Sequence, residues 1–165
     1  MTNPFKFAAS PKLIYNAWYC AAWADEIGGA LVARRIADLP LLLFRDAGRV
    51  VAMLDICPHK FAPLHLGTKV DGGVQCGYHG LEFGTDGSCI RNPHGGGKLP
   101  KAARVRIFPS VEQDGVVWVW TGKTDAADPS DIPRLQGMID RSRKTMKGMS
   151  HIRANYQFLV DNLMD

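Results

Sequence analysis

Hydrophobic and polar residues alternate in short runs along this 165-residue chain, and no run is long. Between residues 18 and 120, β-type runs are separated by glycine, aspartate or proline: "LVARRI", "PLLLFR", "RVVAMLD", "GVQC", "LEF", "VRIFPSVEQ" and "VVWVWT". Many short strands with glycine-rich connections predict an all-β domain of antiparallel sheets. Hairpin turns are expected at Asp46 to Gly48 and at Asp114-Gly115, because aspartate and glycine tolerate the positive φ of tight turns.

The last of these runs predicts a strand that is covered on both faces. Val117 and Val119 alternate with Trp118 and Trp120, so each face carries large apolar side chains. We expect these tryptophans in the core, together with two earlier ones, Trp18 and Trp23.

The composition changes after Gly122, where "KTDAADPSDIPRLQG" is rich in Asp, Ala and Pro and predicts a connection that leaves the β-domain. The final "YQFLVDNLMD" predicts the start of a helix, on which Phe158, Asn162 and Asp165 would share one face. We therefore divide the chain into a β-domain, residues 14–123, and a following segment, residues 124–165.

Composition and charge restrict the class of protein. With 46% hydrophobic and 22% charged residues, the chain is typical of a globular protein, and it has no unbroken apolar stretch that could span a membrane. The N-terminal residues lack the apolar core of a signal peptide, so we expect a cytoplasmic location. The net charge of +4 comes from scattered basic groups without groove-reading partners, which argues against nucleic acid. A basic rim could instead dock an acidic protein.

Four residues carry the metal-binding chemistry of the sequence. Cys57-x-His59 is followed, after sixteen residues, by Cys76-x-x-His79. Two thiolates and two imidazoles can complete a tetrahedral zinc site, or they can hold a two-iron cluster with both histidines on one iron. Structural zinc sites usually pair their cysteines in a C-x-x-C turn, whereas each turn here supplies one cysteine and one histidine. The pattern favours the cluster and leaves zinc as the alternative.

The other cysteines and histidines are predicted to have no ligand role. Cys20 and Cys89 are expected to be small buried side chains. His65, His94 and His151 are expected in loops or at the surface, with the turn of His94 near the metal site.

Six segments carry a resemblance to a known family: "NAWYCAAW", "LDICPHKFAPL", "CGYHGLEF", "GSCIRNPHGGG", "GVVWVW" and "DNLMD". Together they resemble the N-terminal part of the Rieske non-haem iron oxygenases, and they look most like the aromatic O-demethylases of the dicamba and vanillate type. The resemblance implies an all-β Rieske [2Fe–2S] domain with two cluster-binding loops, followed by the start of an α+β catalytic domain.

The resemblance also implies roles for individual residues. Cys57 and Cys76 would bind one iron as thiolates, and His59 and His79 would bind the other through ring nitrogens. In the second loop, Gly77 and Gly80 would let the backbone approach the cluster.

Asp165 would be the aspartate of a longer motif, D-x-x-H-x-x-x-x-H, that binds a mononuclear Fe(II). It would hydrogen-bond an iron-ligand histidine of its own subunit and His79 of the neighbouring subunit in a homotrimer, while Asn162 would lie near the iron. The iron ligands themselves would lie beyond residue 165, so we expect no oxygenation from this chain alone.

The expected function is therefore electron transfer within an aromatic-compound oxygenase. Electrons would come from NAD(P)H through a reductase or a ferredoxin, and the substrate would be a small aromatic compound. Two alternatives remain from the sequence: a Rieske ferredoxin-like electron carrier and a structural zinc-binding interaction module.

Overall fold

Short antiparallel strands make up most of the regular secondary structure in the computed structural model, which describes residues 14–140 and 142–165. The chain divides into two compact units, Met1–Arg134 and Leu135–Asp165. The N-terminal segment, for which no signal peptide is predicted, lies outside the described residues. In chain order the strands are β1 (Trp18–Trp23), β2 (Val32–Ile36), β3 (Leu39–Asp46), β4 (Arg49–Leu54), β5 (Thr68–Val70), β6 (Gly73–Gln75), β7 (Glu82–Gly84), β8 (Cys89–Arg91), β9 (Ile107–Phe108), β10 (Ser110–Gln113) and β11 (Val116–Trp120).

The strands form three sheets, with the orders β1-β11-β10, β2-β3-β4-β9 and β5-β6-β7-β8. Every pairing within them is antiparallel, so the predicted all-β class is confirmed. Both predicted hairpin turns are present. Ala47 and Gly48 join β3 to β4 with φ of 44° and 80°, and Asp114 and Gly115 join β10 to β11 with φ of 53° and 78°.

The run "VRIFPSVEQ" does not form one strand. It divides at Pro109, so that β9 pairs with β4 while β10 pairs with β11 in a different sheet. Proline has no N–H to donate to a ladder, but the Pro109 carbonyl still accepts from the Trp120 amide at 2.9 Å. The sequence runs also omitted β1, β5 and β8, and the last two are only three residues long.

The core of the first unit is built on β3 and β11. Leu41 to Phe44 are four consecutive residues with 0% exposure, which requires cover on both faces of β3. The same holds for β11, where Val119 is 0% and Trp120 4% exposed. The two-sided cover predicted for β11 is therefore confirmed. Trp18, Trp23 and Trp118 are only half-buried, so the prediction that the four tryptophans lie in the core holds for Trp120 and not for these three.

The residues after β11 remain attached to the first unit. The indole N–H of Trp18 donates to the Asp128 carbonyl at 2.8 Å, and that of Trp120 donates to the Lys123 carbonyl at 2.8 Å. Further along, Ile132 is only 4% exposed. Residues 124–134, which were predicted to be a connection that leaves the β-domain, thus pack on that domain. The assignment of residues 14–123 to one domain and of residues 124–165 to the next segment stays a prediction.

The second unit contains the helices α1 (Gln136–Ile139) and α2 (Tyr156–Met164). The Asn155 side chain caps α2 by accepting from the Gln157 amide at 3.0 Å, which is why the helix begins there. The helix predicted for the end of the chain is therefore confirmed. Within the described residues, no helix has both the length and the apolar character of a membrane span.

Candidate metal centre

The first Cys/His loop, residues 57–62, follows β4 and closes on itself through two backbone hydrogen bonds. The Cys57 amide donates to the Ala62 carbonyl at 2.8 Å, and the Phe61 amide donates to the Cys57 carbonyl at 2.9 Å. Phe61 has a φ of 61°, the left-handed conformation that such a tight reversal requires.

The second Cys/His loop, residues 76–81, follows β6 and repeats this geometry. The Cys76 amide donates to the Leu81 carbonyl at 2.8 Å, and the Gly80 amide donates to the Cys76 carbonyl at 3.0 Å. Gly80, in the position equivalent to Phe61, has a φ of 72°. The two loops are equivalent in backbone, and each presents a cysteine at its first position.

The thiols of these cysteines lie together inside the protein. Cys57 and Cys76 are each 2% exposed, and their side chains hydrogen-bond to each other. Burial raises the pKa of the Cys57 thiol to about 11; the backbone amides of His59 and Lys60 donate to its sulfur and lower the pKa, while Cys76 raises it. Two buried thiols in contact, one with amide donors, suit a pair of thiolate ligands on one metal.

The imidazoles lie together on the outer side. The ring centroids of His59 and His79 are 4.8 Å apart, with an interplanar angle of 59°. His59 is exposed and His79 is half-buried, while the Tyr78 ring lies 3.9 Å from that of His79. The pKa of His79 is lowered, first because desolvation disfavours its charged form. The neighbouring basic groups His59, His94 and Lys60 lower it further. A neutral imidazole is the form that binds metal.

This division of the four side chains fits a two-iron cluster. A pair of sulfurs inside and a pair of nitrogens outside offer two ligands to each of two irons. Among residues 14–140 and 142–165, no three His, Cys, Asp or Glu side chains converge as they would on a single ion. Each iron of a two-iron cluster of this kind has only two protein ligands, so a group of three side chains is not required.

The glycines of the second loop serve backbone packing. A Cβ on Gly77 would lie 2.9 Å from the Leu66 carbonyl oxygen, so this glycine lets the second loop lie against the segment after the first. Gly80 adopts its positive φ without the strain that Phe61 has in the equivalent position, and a Cβ there would lie 3.3 Å from the Pro93 ring.

A third loop, residues 92–98, lies next to the second Cys/His loop. Its His94 places Nε2 2.9 Å from the His79 carbonyl oxygen. A pocket of about 580 Å³ lies between the two imidazoles and this loop, and Asn92, His94 and Ala103 are among its lining residues. His94 is exposed and near the site, as predicted. Its contact with His79, a predicted ligand, was not predicted. The run of Asn, Pro, His and three glycines was the available signal.

His65 differs from the loop or surface histidine that was predicted. It is half-buried in a short 3₁₀ segment, Leu64–Leu66, and its ring Nδ1 pairs with the carboxylate of Asp55. The His65 amide also donates to Asp55 at 2.8 Å. Asp55 is only 6% exposed, and a buried carboxylate needs such donors. The pair braces the chain two residues before Cys57.

The remaining predicted residues are two cysteines of the β-domain and two residues of the second unit. Cys89 is buried as expected, but Cys20 is exposed, because a bulge in β1 turns Ala21 and Ala22 inward and leaves Cys20 outside. His151 is exposed, as predicted. Asp165 follows α2 and is exposed; its role stays a prediction.

The β-domain with two equivalent Cys/His loops has the design of a Rieske-type iron–sulfur domain. A model of the Rieske [2Fe–2S] domain matches residues 17–109, and the chain belongs to this family. It is 48% identical over 153 residues to the oxygenase component of dicamba O-demethylase from Stenotrophomonas maltophilia, covering 92% of the chain and 45% of that protein.

Two further relatives agree with this assignment. The vanillate O-demethylase oxygenase subunit of a Pseudomonas species is 38% identical over 151 residues, which cover 91% of the chain and 42% of that subunit. A crystal structure of dicamba monooxygenase with non-haem iron and dicamba superposes with a TM-score of 0.85 at 49% identity, over 90% of the chain and 46% of that structure. The chain thus spans less than half the length of these relatives.

Proposed function

We propose that this chain is the electron-transfer part of a Rieske oxygenase of the aromatic O-demethylase type. Cys57 and Cys76 would bind one iron of a [2Fe–2S] cluster, and His59 and His79 would bind the other. The observation that carries the proposal is the pair of loops with one backbone geometry, which brings two buried thiols together and two imidazoles together.

Each part of the site has a task in this function. The buried thiols exclude water from the inner side, and the His59 and Lys60 amides that reach the Cys57 sulfur stabilise its thiolate. The imidazoles lie at the surface, where an electron can enter or leave. The cluster, when bound, supplies one-electron oxidation and reduction at a potential that hydrogen bonds and solvent exposure adjust.

The surface around the site suits an acidic electron donor. Three lysines around the site are exposed: Lys60, Lys98 and Lys101. The acids between the second and third loops, Glu82 and Asp86, are paired with Arg91 and Arg104. Opposite charges across such a surface increase the rate of association. We propose that a ferredoxin or reductase, itself reduced by NAD(P)H, docks here.

The relatives support a proposal for the activity of a longer protein. A similar structure of dicamba monooxygenase contains non-haem iron, and we propose a mononuclear Fe(II) site formed by residues after Asp165. Asp165 would join that site to His79 of the neighbouring subunit in a homotrimer. The proposed reaction is oxygenation of a small aromatic compound, with O-demethylation as the model that the relatives offer.

Metal analysis and one substitution test the proposal. The purified protein should contain two irons and two acid-labile sulfides per chain, the composition of a [2Fe–2S] cluster. His79→Ala should lose the visible absorption and the EPR signal of the reduced cluster, whereas the matched variant His151→Ala should keep both. One zinc per chain without sulfide would establish the zinc module instead, and an unchanged spectrum in His79→Ala would refute the ligand assignment.

A further inference from the structure

The third loop, residues 92–98, contacts the second Cys/His loop through His94. Nε2 of His94 lies 2.9 Å from the His79 carbonyl oxygen, and the two rings meet nearly edge to face at 6.2 Å and 78°. A carbonyl oxygen can only accept a hydrogen bond, so Nε2 is the nitrogen that carries the proton. His94 therefore donates to the backbone of a proposed iron ligand.

The peptide between His79 and Gly80 is thereby held at both ends. Its oxygen accepts from His94, and its N–H, which belongs to Gly80, donates to the Cys76 carbonyl at 3.0 Å. Two hydrogen bonds through one peptide polarise and strengthen each other. They also fix the plane of the peptide that follows the Cα of His79, and this plane limits the directions in which the His79 ring can point.

The third loop is built to hold His94 in this place. The Asn92 side chain accepts from the His94 amide at 3.0 Å and donates to the Lys98 carbonyl at 2.8 Å, so it spans the loop. The Pro93 ring packs against the position where a Gly80 Cβ would be, at 3.3 Å. These contacts of Asn92 and Pro93 restrict the position of His94, although its side chain is exposed.

We propose that His94 is a positioning residue for the cluster: by holding the His79 peptide it fixes the orientation of the His79 ring. The inference rests on the proposed function, in which His79 binds iron. Loss of the hydrogen bond would leave all four ligands present but would let the His79 ring adopt a wider range of orientations. Hydrogen bonding and ligand orientation around such a cluster adjust its reduction potential, so the potential should shift as well.

Two substitutions at His94 and one control separate positioning from general structure. His94→Ala removes the donor, and His94→Gln retains a side-chain N–H that can reach the carbonyl. Lys98→Ala removes a charge from the same loop but keeps the backbone carbonyl that Asn92 binds. The measurements on the cluster-containing protein are iron and sulfide content, the EPR line shape of the reduced state, and the midpoint potential.

His94→Ala is expected to keep its cluster, to show broadened EPR features and to have a shifted midpoint potential. His94→Gln should recover much of the wild-type line shape, and Lys98→Ala should leave the line shape unchanged. Loss of the cluster from His94→Ala but not from His94→Gln would also support the proposal.

A wild-type line shape and potential in His94→Ala would overturn the inference. So would cluster loss in both His94 variants with native circular dichroism, because the donor would then not be the feature that matters. If the wild-type protein itself gave no Rieske-type signal, the proposed function would fail first, and the two failures are thereby distinguished.

Discussion

Replacement of Gly77 by alanine tests the contact between the second loop and the segment that follows the first loop. The new Cβ would lie 2.9 Å from the Leu66 carbonyl oxygen, whereas ordinary contact begins at 3.4 Å, so the second loop and the Leu66 segment must separate by about 0.5 Å. Overpacking of this kind costs about 1–3 kcal/mol. For a chain of this length we expect the melting temperature to fall by about 2–12 °C. A metal site tolerates displacements of only about 0.5 Å, so cluster content should fall as well.

The assay compares Gly77→Ala with Gly28→Ala. A Cβ on Gly28 would meet nothing within 4 Å, so the control introduces the same methyl group without a clash. Both proteins are purified in parallel, and iron, acid-labile sulfide and melting temperature are measured. Gly28→Ala should match the wild type to within about 0.5 kcal/mol. If Gly77→Ala had the cluster content and melting temperature of the control, the close contact between the second loop and Leu66 would not exist as described.

Three further predictions address the docking surface, the connection and the end of the chain. Lys98→Glu with Lys101→Glu should slow reduction by an acidic donor, most strongly at low salt, without changing cluster content; stopped-flow measurements at two ionic strengths check this. Trp18→Phe removes the hydrogen bond to the Asp128 carbonyl, which should cost about 1 kcal/mol of stability. Limited proteolysis should then cut residues 124–134 faster than in the wild type. In a longer protein that contains the iron site, Asp165→Asn should retain both metal centres but nearly stop turnover; normal turnover would contradict the bridging role.

The residue pattern predicted the β-class, both hairpin turns and the two Cys/His loops because each depends on local chemistry. A turn at Asp114-Gly115 requires only residues that accept positive φ, and the resemblance concerns residues within a few positions of the loops. Such features are determined by neighbours in the sequence, so they could be predicted without coordinates.

Features that depend on long-range pairing could not be predicted. The division at Pro109 requires knowledge that two consecutive strands join different sheets, and the exposure of Cys20 depends on a bulge opposite β11. The pairing of His65 with Asp55 and of His94 with the His79 carbonyl joins residues 10 and 15 positions apart, respectively. Neither pair has a spacing that a pattern search would select.

Pulsed EPR of the reduced protein labelled with ¹⁵N-histidine detects the proposed histidine ligands themselves. The proposed ligand set predicts couplings to nitrogens of two histidines in the wild type, because His59 and His79 would bind one iron. A reduced cluster without histidine couplings, or couplings that persist unchanged in His79→Ala, would contradict it.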